Sequence, residues 1–330
     1  MKVLRGGLAG CGFFAQFHLE AWRRMPGVEL AAACDPDAAR AEKAAPRAYA
    51  RFEDMIEREP LDFVDIATRP DLHLPLVRMA CRAGIPVICQ KPMARDWSEC
   101  VELAAVADQT GVPVMIHENW RWQPWYREVK RRIEAGEVGD IVTYRFRIRQ
   151  RDGHGPEPYP AQPYFRTMER LLIYETMVHP IDTARFLFGD LDSVFARTRR
   201  RNPVIAAEDC AFLLLTHDSG LTGEADGHRF TDLAPASPVL GDASFEGEKG
   251  ILTVSPAGDV FSGEQPVWRN TVSTGYRGDS VKATQEHFIE CLRTGRPFET
   301  SAREYLKTCA AVEAAYVSAR EARSVTAKVE

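Results

Sequence analysis

The 330 residues of this chain are enough for two domains, each with a hydrophobic core of its own. Apolar residues make up 45% of the chain and charged residues 27%, which is typical of globular proteins and excludes a mainly disordered chain. The 42 basic and 47 acidic residues leave a net charge of -5, which argues against a general nucleic-acid-binding protein. The one basic cluster, RTRRR at 197–201, is interpreted as the solvated end of a strand.

The eight cysteines are scattered and form no C-x-x-C pair, so neither a zinc site nor a disulfide framework is expected. We therefore expect reduced thiols and no bound metal. The start of the chain has no signal-peptide pattern, and no apolar run reaches about 18 residues. A cytoplasmic protein without a membrane partner is the expectation that follows.

The first third of the chain alternates short, nearly all-apolar strands with helices. Strands are predicted at 3–9, 28–35, 62–68, 85–91 and 112–119, and helices at 14–25, after the second strand to about 45, at 72–83 and at 97–110. Strands that are apolar throughout and are joined by crossover helices indicate a parallel sheet covered on both faces. Residues 1–122 are therefore predicted to form a doubly wound α/β domain.

The pattern changes near residue 123, where QPWYREVKRRIEAGEVGD predicts an amphipathic helix that ends in glycine turns. The next strand alternates strictly, with Val142, Tyr144, Phe146 and Ile148 on one face and Thr143, Arg145, Arg147 and Arg149 on the other. Further strands are predicted at 192–199, 209–217, 220–228, 242–247 and 250–255, and helices at 281–294 and 301–322. Residues 123–330 are therefore predicted to form an α+β domain with a mostly antiparallel open sheet.

A glycine-rich turn follows the first predicted strand. Residues 10–15, GCGFFA, fit G-x-G-x-x-G/A, in which the first glycine permits a tight turn and the second lets a pyrophosphate approach the main chain. Such glycines can also be purely structural. The second strand ends at Asp35, about 20 residues further on, where a carboxylate binds ribose hydroxyls and repels a 2′-phosphate. The pattern predicts a dinucleotide, with NAD favoured over NADP, held by Gly10, Gly12, Phe13, Phe14 and Asp35.

Several segments in order resemble the Gfo/Idh/MocA family of oxidoreductases, and they span nearly the whole chain. They are GLAGCGFFAQFH, DFVDIATRPDLH, QKPMA, RWQPWYREVKRRIEAGEVGDI and ETMVHPIDTARFLFG. The resemblance implies a Rossmann domain followed by an open-sheet α+β domain, NAD(P) as cofactor, and a catalytic lysine, aspartate and histidine.

By position, Lys91 matches the lysine that the resemblance makes catalytic. It also follows a buried strand, and ligands of such sheets lie beyond the carboxyl ends of the strands. An ammonium group there stabilises the alkoxide that develops as hydride leaves an alcohol carbon. The alternative is a surface lysine in a loop. Gln90 stands where the family has glutamate, and its amide can still bind the cofactor.

His179 is the candidate general base, because imidazole titrates near neutral pH. Glu175 matches the family's catalytic aspartate, and on one helix Glu175, His179 and Asp182 would share a face. Pro180 would start or kink that helix. The alternatives are a surface network of acid and histidine, or a metal site of E-x-x-x-H-x-x-D spacing.

The resemblance also places residues around the cofactor pocket. Thr68, Arg69 and His73 would border it, and Asn119 and Arg121 would lie near the nicotinamide. Three nearby tryptophans are interpreted mainly as core between the domains: Trp120, Trp122 and Trp125.

The segment PYFRTMERLLIYE replaces a glycine-rich run that is usual in the family before the catalytic helix. Tyr164, Arg166 and Arg170 would then approach the substrate together with Asp182. A guanidinium binds a carboxylate or phosphate in bidentate fashion, so an anionic substrate group is one hypothesis. A loop that faces another subunit is the other.

The sequence thus predicts an enzyme that moves hydride between NAD(H) and a hydroxyl or carbonyl carbon of a sugar, polyol or sugar acid. Two alternatives stay open: a dehydrogenase of a cyclic diol or ketone, and an NAD(H)-binding sensor with weakened catalysis. The expected partners are a small-molecule substrate and a second copy of the chain, in a homodimer or homotetramer formed through the C-terminal sheet.

Overall fold

A computed structural model describes residues 2–234 and 236–329. The fifteen strands, in chain order, are β1 Leu4–Ala9, β2 Val28–Cys34, β3 Arg47–Tyr49, β4 Phe63–Ile66, β5 Val87–Gln90, β6 Val114–His117, β7 Ile141–Arg149, β8 Leu191–Arg199, β9 Cys210–His217, β10 Thr222–His228, β11 Gly241–Gly247, β12 Gly250–Val254, β13 Val260–Ser262, β14 Gln265–Trp268 and β15 Val325–Thr326. The α-helices in the described ranges are α1 Ala15–Arg23, α2 Ala38–Ala44, α3 Phe52–Arg58, α4 His73–Arg82, α5 Trp97–Thr110, α6 Pro124–Glu134, α7 Val178–Phe188, α8 Ser280–Thr294 and α9 Ala302–Glu321. No helix within these two described ranges is long and apolar enough to cross a membrane.

The chain divides into two compact units. The first comprises Met1–Asn119 and Asp279–Leu306, and the second comprises Trp120–Gly278 and Lys307–Glu330. The sequence predicted a single domain boundary at residue 122. In the structure, residues 279–306 also belong to the first unit. Apolar packing explains this return, because Phe288 and Ile289 of α8 pack in one cluster with Trp22 and Phe63.

The first unit is built on a six-stranded sheet in the order β3-β2-β1-β4-β5-β6, and every neighbouring pair is parallel. This confirms the predicted doubly wound sheet. Strands β4, β5 and β6 are buried at every residue, which explains why their sequences are apolar rather than alternating. Strand β3 and helix α3 were not predicted, since three and seven residues are too few to show a clear periodicity.

The second unit is built on a nine-stranded sheet in the order β14-β13-β12-β11-β7-β10-β9-β8-β15. Every pair is antiparallel except β7 and β10, which run parallel. The prediction of a mostly antiparallel sheet is therefore confirmed. The short strands β13, β14 and β15 were not predicted; β14 and β15 are the edges of the sheet, and β13 lies next to β14.

Strand β7 shows the predicted alternation over most of its length. Tyr144, Phe146 and Ile148 are buried, but Val142 is 63% exposed, so its predicted place on the covered face is wrong. Opposite Val142 the pairing with β11 shifts between Glu246 and Gly247, and this bulge breaks the alternation.

The arginines on the open face of β7 are paired within the sheet. Arg145 lies 2.8 Å from Glu224 and 2.9 Å from Asp226 of β10, while Arg147 pairs with Asp242 of β11 and Arg149 with Asp226. The face is therefore a ladder of alternating charges rather than a row of uncompensated cations.

Candidate active site

Five of the predicted site residues follow strands of the parallel sheet at its carboxyl edge. They are Gly10 after β1, Asp35 after β2, Thr68 after β4, Lys91 after β5 and Asn119 after β6. Because neighbouring strands are in register at their ends, with Ala9 opposite Cys34 and Ile66 and with Gln90 opposite His117, these residues emerge along one edge. Ligands of open parallel sheets bind outside this edge.

The glycine turn has the geometry that a pyrophosphate requires. Gly10 has φ +86°, and a Cβ there would lie 2.8 Å from Cγ2 of Thr68 and 2.9 Å from the carbonyl oxygen of Ala67. At Gly12, by contrast, no described atom beyond its chain neighbours lies within 4 Å of a built Cβ, so the main chain is open to a ligand.

Helix α1 begins at Ala15, directly after this turn. Among the described residues no side chain caps the helix, and its first turn contains no acidic residue. The N–H of Phe17 donates to the carbonyl oxygen of Phe14 at 3.1 Å, and the positive end of the helix dipole faces the turn, which favours an anion there. The turn fits the diphosphate of a dinucleotide.

Two main-chain N–H groups hold the Asp35 carboxylate beside the same turn. Its Oδ2 accepts a hydrogen bond from the N–H of Cys11 at 2.8 Å, and its Oδ1 accepts one from the N–H of Asp37 at 2.9 Å. Burial and the nearby Asp35 carboxylate raise the pKa of the Cys11 thiol to about 12, so the thiol is neutral. A negative carboxylate at the end of β2 disfavours an additional phosphate at that position.

Two phenylalanines of the turn differ in exposure. Phe13 is 45% exposed and meets the ring of Phe17 edge-on at 5.8 Å, whereas Phe14 is half-buried between Phe17 and His18. The predicted cofactor contacts of Phe13 and Phe14 would be made from these positions.

The residues after β4 divide into two roles. Thr68 touches the glycine turn, while Arg69 is exposed and lies 3.3 Å from Asp71. His73 is fully buried, and its ring nitrogens lie 2.9 Å from the carbonyl oxygen of Pro92 and 3.1 Å from that of Thr68. Burial lowers the pKa of His73. The ring thus connects the end of β4 to the loop that carries Lys91.

Lys91 lies at the end of β5 with its side chain largely buried, and a cis peptide bond joins it to Pro92. Its main-chain N–H donates to Oε1 of Gln90 at 2.6 Å, and Nε2 of Gln90 lies 2.8 Å from Nε2 of His18. The amide that replaces the family's glutamate therefore connects Lys91 to a histidine of α1.

Sequence reasoning missed the continuation of this connection. Nδ1 of His18 lies 2.8 Å from Oδ2 of Asp65, and the indole N–H of Trp22 donates to the same oxygen at 2.6 Å. His18 and Asp65 are both fully buried. The signal was Asp65 itself, since a carboxylate inside an otherwise apolar strand must find a buried partner.

The second unit contains His179, Glu175 and Asp182. A π-helix, Leu172–Met177, precedes α7, and the change of helix type lies between Glu175 and His179. The expectation that these three residues lie on one regular helix is therefore wrong: Glu175 lies in the π-helix, whereas His179 and Asp182 lie in α7. Pro180 falls in the first turn of α7, where a missing N–H costs little.

The imidazole of His179 stacks on an indole. Its ring centroid lies 4.7 Å from that of Trp120, the planes differ by 2°, and both residues are almost completely buried. Glu175 is half-buried, and its Oε2 accepts a hydrogen bond of 3.5 Å from the hydroxyl of Thr176.

Asp182 and Arg121 bind each other. Nε and Nη2 of Arg121 donate to the two carboxylate oxygens of Asp182 at 2.8 and 2.7 Å, and the hydroxyl of Thr308 donates to Oδ1 at 2.9 Å. The exposed fractions of the two side chains are 9% and 0%. Asn119, in the first unit, donates to the hydroxyl of Ser280 at 2.8 Å. Contacts of Arg121 with cofactor and of Asp182 with substrate stay predictions.

The three residues predicted to recognise a substrate anion have separate partners. Nε of Arg166 donates to the carbonyl oxygen of Pro158 at 2.8 Å, and the hydroxyl of Tyr164 accepts from Gln162 at 3.0 Å. Arg170 pairs with Glu313 in the same unit, and this hydrogen bond raises the pKa of Arg170. An anion at Arg170 would have to compete with that carboxylate.

Two family models match the chain. Residues 4–118 match a model described as an oxidoreductase family with an NAD-binding Rossmann fold, and residues 126–253 match the GFO/IDH/MocA C-terminal domain.

Curated relatives match over nearly the whole chain. The D-apiose dehydrogenase of Paraburkholderia graminis is 37% identical, with 99% of this chain and 91% of the relative covered. That of Rhizobium rhizogenes is 36% identical, with 98% of each covered. Among solved structures, an oxidoreductase from Agrobacterium radiobacter in complex with NAD+, L-tartaric acid and magnesium has a TM-score of 0.91 at 34% identity, with 99% of each chain covered.

Proposed function

We propose, on the premise that this chain belongs to the Gfo/Idh/MocA family of oxidoreductases, that Lys91 and His179 carry the chemistry of a sugar dehydrogenase. The protein is an NAD-dependent oxidoreductase that acts on a CH–OH group of a sugar, a polyol or a sugar acid. When bound, NAD supplies the acceptor for the hydride that leaves this carbon.

One observation supports the proposed site above all others. The open glycine turn and the Asp35 carboxylate lie at the carboxyl edge of the first sheet. Lys91 lies at the same edge, after β5, and only β4 separates β5 from β1. A nucleotide seated on the turn would extend along this edge, which is where a group that acts on the reacting carbon is needed.

The proposed role of Lys91 is electrostatic. Removal of the hydroxyl proton places negative charge on the alcohol oxygen, and that charge is lost again as the hydride leaves the carbon and the carbonyl forms. An ammonium group within hydrogen-bond distance stabilises the charge on the oxygen before and during hydride transfer. Its largely buried side chain supports the role, because a partly desolvated cation interacts more strongly with a developing anion than an exposed one.

The proposed role of His179 is that of general base. The substrate hydroxyl must lose its proton, and a neutral imidazole accepts it. Stacking on Trp120 holds the ring plane and leaves its edge nitrogens as the reactive groups. The proposed role of Glu175 is to orient substrate and base, from its half-buried position in the π-helix.

The first candidate substrate is D-apiose. Both D-apiose dehydrogenases match almost end to end, including the second unit, in which the substrate-binding residues of the proposal lie. The bound L-tartaric acid in the Agrobacterium structure makes a dicarboxylic hydroxy acid the second candidate. Arg166 and Tyr164 are the proposed contacts for such an anion.

A spectrophotometric screen tests the proposal. Purified protein with NAD+ would be assayed for NADH formation with D-apiose, L-tartrate, myo-inositol and simple aldoses. We expect turnover with a compound of this class and its loss in Lys91→Met and His179→Asn, while NADH binding is retained in both. Wild-type turnover that survives Lys91→Met would contradict the assigned role.

The same screen separates the remaining alternatives. Turnover only with cyclic diols or ketones would support a dehydrogenase of non-sugar substrates. Tight NADH binding without turnover on any compound would support a sensor.

The proposed assembly is a homodimer or homotetramer formed through the open face of the nine-stranded sheet. The charge ladder of β7 lies in the same sheet as Phe212 and Leu214 of β9, which are 38% and 39% exposed. Light scattering on Leu214→Arg tests this: the wild type should exceed the mass of one chain and the variant should not. A cytoplasmic location is also proposed, and the free thiols of the eight cysteines suit a reducing compartment.

A further inference from the structure

The buried connection from Asp65 through His18 and Gln90 to Lys91 lies beneath the carboxyl edge of the first sheet. All four members are 9% exposed or less, and all four belong to the first unit. The contacts are 2.8 Å from Asp65 Oδ2 to His18 Nδ1, 2.8 Å from His18 Nε2 to Gln90 Nε2, and 2.6 Å from Gln90 Oε1 to the N–H of Lys91. Neither His18 nor Asp65 has a role in the proposed reaction.

The proton positions along this connection follow from donor and acceptor chemistry. The N–H of Lys91 can only donate, so the oxygen of the Gln90 amide must face it. The amide nitrogen then faces His18 and can also only donate, which makes Nε2 of His18 an acceptor. The single ring proton of a neutral His18 must therefore lie on Nδ1, where it is donated to Asp65.

We propose that Asp65 and His18 are positioning residues that orient the Gln90 amide and, through it, the main chain of Lys91. This inference rests on the proposed function of Lys91. Asp65 selects the tautomer of His18, and the ring of His117, stacked on His18 at 4.2 Å, limits its rotation. The tautomer of His18 fixes which end of the Gln90 amide faces the ring. The amide oxygen then binds the N–H of Lys91, the first residue after β5.

Glutamine suits this arrangement better than the glutamate that the family resemblance leads one to expect. A carboxylate at position 90 would present acceptors both to Lys91 and to His18. Satisfying both contacts would then require one additional proton, carried either by His18 as an imidazolium or by the carboxyl group at position 90. Gln90 supplies the same hydrogen bond to Lys91 with a neutral ring, so the positioning of Lys91 does not depend on an extra bound proton.

The first test reads the tautomer directly. In ¹⁵N-histidine-labelled protein, the His18 signals, assigned by their loss in His18→Phe, should report a neutral ring protonated at Nδ1. Gln90→Glu, which replaces the donating amide by a second acceptor, should shift these His18 signals. Gln109→Glu, the same change on the exposed face of α5, should leave the His18 signals unchanged. A native ring protonated at Nε2, or at both nitrogens, overturns the proposal.

The second test separates positioning from packing. His18→Phe keeps an aromatic ring but removes the hydrogen bond to Gln90, and we expect kcat to fall about 10- to 100-fold with NADH affinity unchanged. Trp22→Phe removes the other hydrogen bond to the same Asp65 oxygen and should lower the unfolding midpoint without changing kcat. Equal kcat in these two variants overturns the proposal.

Two outcomes distinguish the possible failures. If Lys91→Met keeps full activity, the proposed function fails whatever the tautomer of His18. If Lys91→Met is inactive but His18→Phe is as active as Trp22→Phe, only the positioning role fails. Should His18→Phe not fold, Gln90→Leu supplies the kinetic arm, because it removes the hydrogen bonds to both His18 and Lys91. Its kcat at saturating NAD should fall while that of Gln109→Leu does not, and an unchanged kcat in Gln90→Leu refutes the role.

Discussion

The indole of Trp120 lies parallel to the imidazole of His179, with the ring centroids 4.7 Å apart and the planes at 2°. Both residues belong to the second unit, and Trp120 is only 1% exposed. One face of the proposed base is therefore covered by a fixed ring, which hinders rotation of the imidazole about its Cβ–Cγ bond. Such restriction fixes the direction in which the ring nitrogens accept a proton.

Replacing Trp120 should therefore affect catalysis as well as stability. Trp120→Ala should lower the free energy of unfolding by about 3–5 kcal/mol and also lower kcat, because the imidazole loses its support. Trp125→Ala is the matched control, since Trp125 is equally buried but does not stack on His179 in the described contacts. It should lose comparable stability and keep kcat. Urea unfolding and steady-state kinetics measure the two effects, and an equal loss of kcat in both variants would refute the supporting role.

The two glycines of the nucleotide turn should respond differently to alanine. At Gly10 both the positive φ and the close Thr68 and Ala67 atoms oppose a Cβ, so Gly10→Ala should cost about 1–3 kcal/mol of unfolding free energy. At Gly12 the protein leaves space, so Gly12→Ala should keep its melting temperature. Its methyl group would instead meet the pyrophosphate, and the KM for NAD should rise at least tenfold, about 1.4 kcal/mol of binding energy. A Gly12→Ala protein with wild-type KM would place the diphosphate elsewhere.

Cofactor choice should depend on Asp35. Its carboxylate is held rigidly by the N–H groups of Cys11 and Asp37, so it cannot turn away from a 2′-phosphate at little cost. Asp35→Ala should lower kcat/KM for NAD and raise the NADP-to-NAD ratio of kcat/KM. Asp37→Asn removes a carboxylate two residues away and keeps the cap of α2, so it should leave that ratio unchanged. A ratio that moves equally in both variants would indicate a general charge effect.

Features with local causes were predictable from the sequence. Strands β4, β5 and β6 are apolar because both faces are buried, and the glycine turn and Asp35 lie at a fixed distance along the chain. The group of His18, Asp65 and Gln90 is the opposite case. Along the chain, His18 lies 47 residues from Asp65 and 72 residues from Gln90. Their meeting depends on the order of strands in the sheet, which no periodicity shows.

The helix that carries His179 illustrates a second limit. Residues 172–188 look like one helix because apolar residues recur throughout, yet the chain forms a π-helix up to Met177 and an α-helix from Val178. Pro180 signalled an irregularity but not its kind. The π-helix has more residues per turn than an α-helix, so α-helical spacing does not fix the direction of Glu175 relative to His179.

The ion pair of Arg121 and Asp182 should be mainly structural. Removing one partner of a buried, bidentate pair leaves an uncompensated charge, so Asp182→Ala should lower the unfolding free energy by about 3–5 kcal/mol. Thr308→Val removes one hydrogen bond to Asp182 and the one that the hydroxyl accepts from Nη1 of Arg185 at 2.7 Å, and it should cost about 2 kcal/mol. If Asp182 instead contacts substrate, as the sequence suggested, KM for the sugar should rise strongly in Asp182→Asn but not in Thr308→Val. Urea unfolding and substrate KM together decide between these roles.

His117 should make the protein less stable in mild acid. It is fully buried against His18, and burial lowers its pKa to about 3 from an ordinary value of 6.5. As pH falls below 6.5 the unfolded chain binds a proton here that the folded chain cannot, so stability present above 6.5 is lost towards pH 3 at about 1.4 kcal/mol per unit.

The change that isolates this effect is His117→Phe, which keeps a ring beside His18 but does not titrate. Between pH 6.5 and 5 the wild type should lose about 2 kcal/mol more unfolding free energy than the variant, because only its unfolded chain gains this proton. Urea denaturation at closely spaced pH values measures the difference, and other titrating groups cancel because both proteins contain them. His154→Phe, at an exposed histidine, should follow the wild-type curve. Parallel curves for wild type and His117→Phe would mean that the folded protein already protonates this ring near neutral pH.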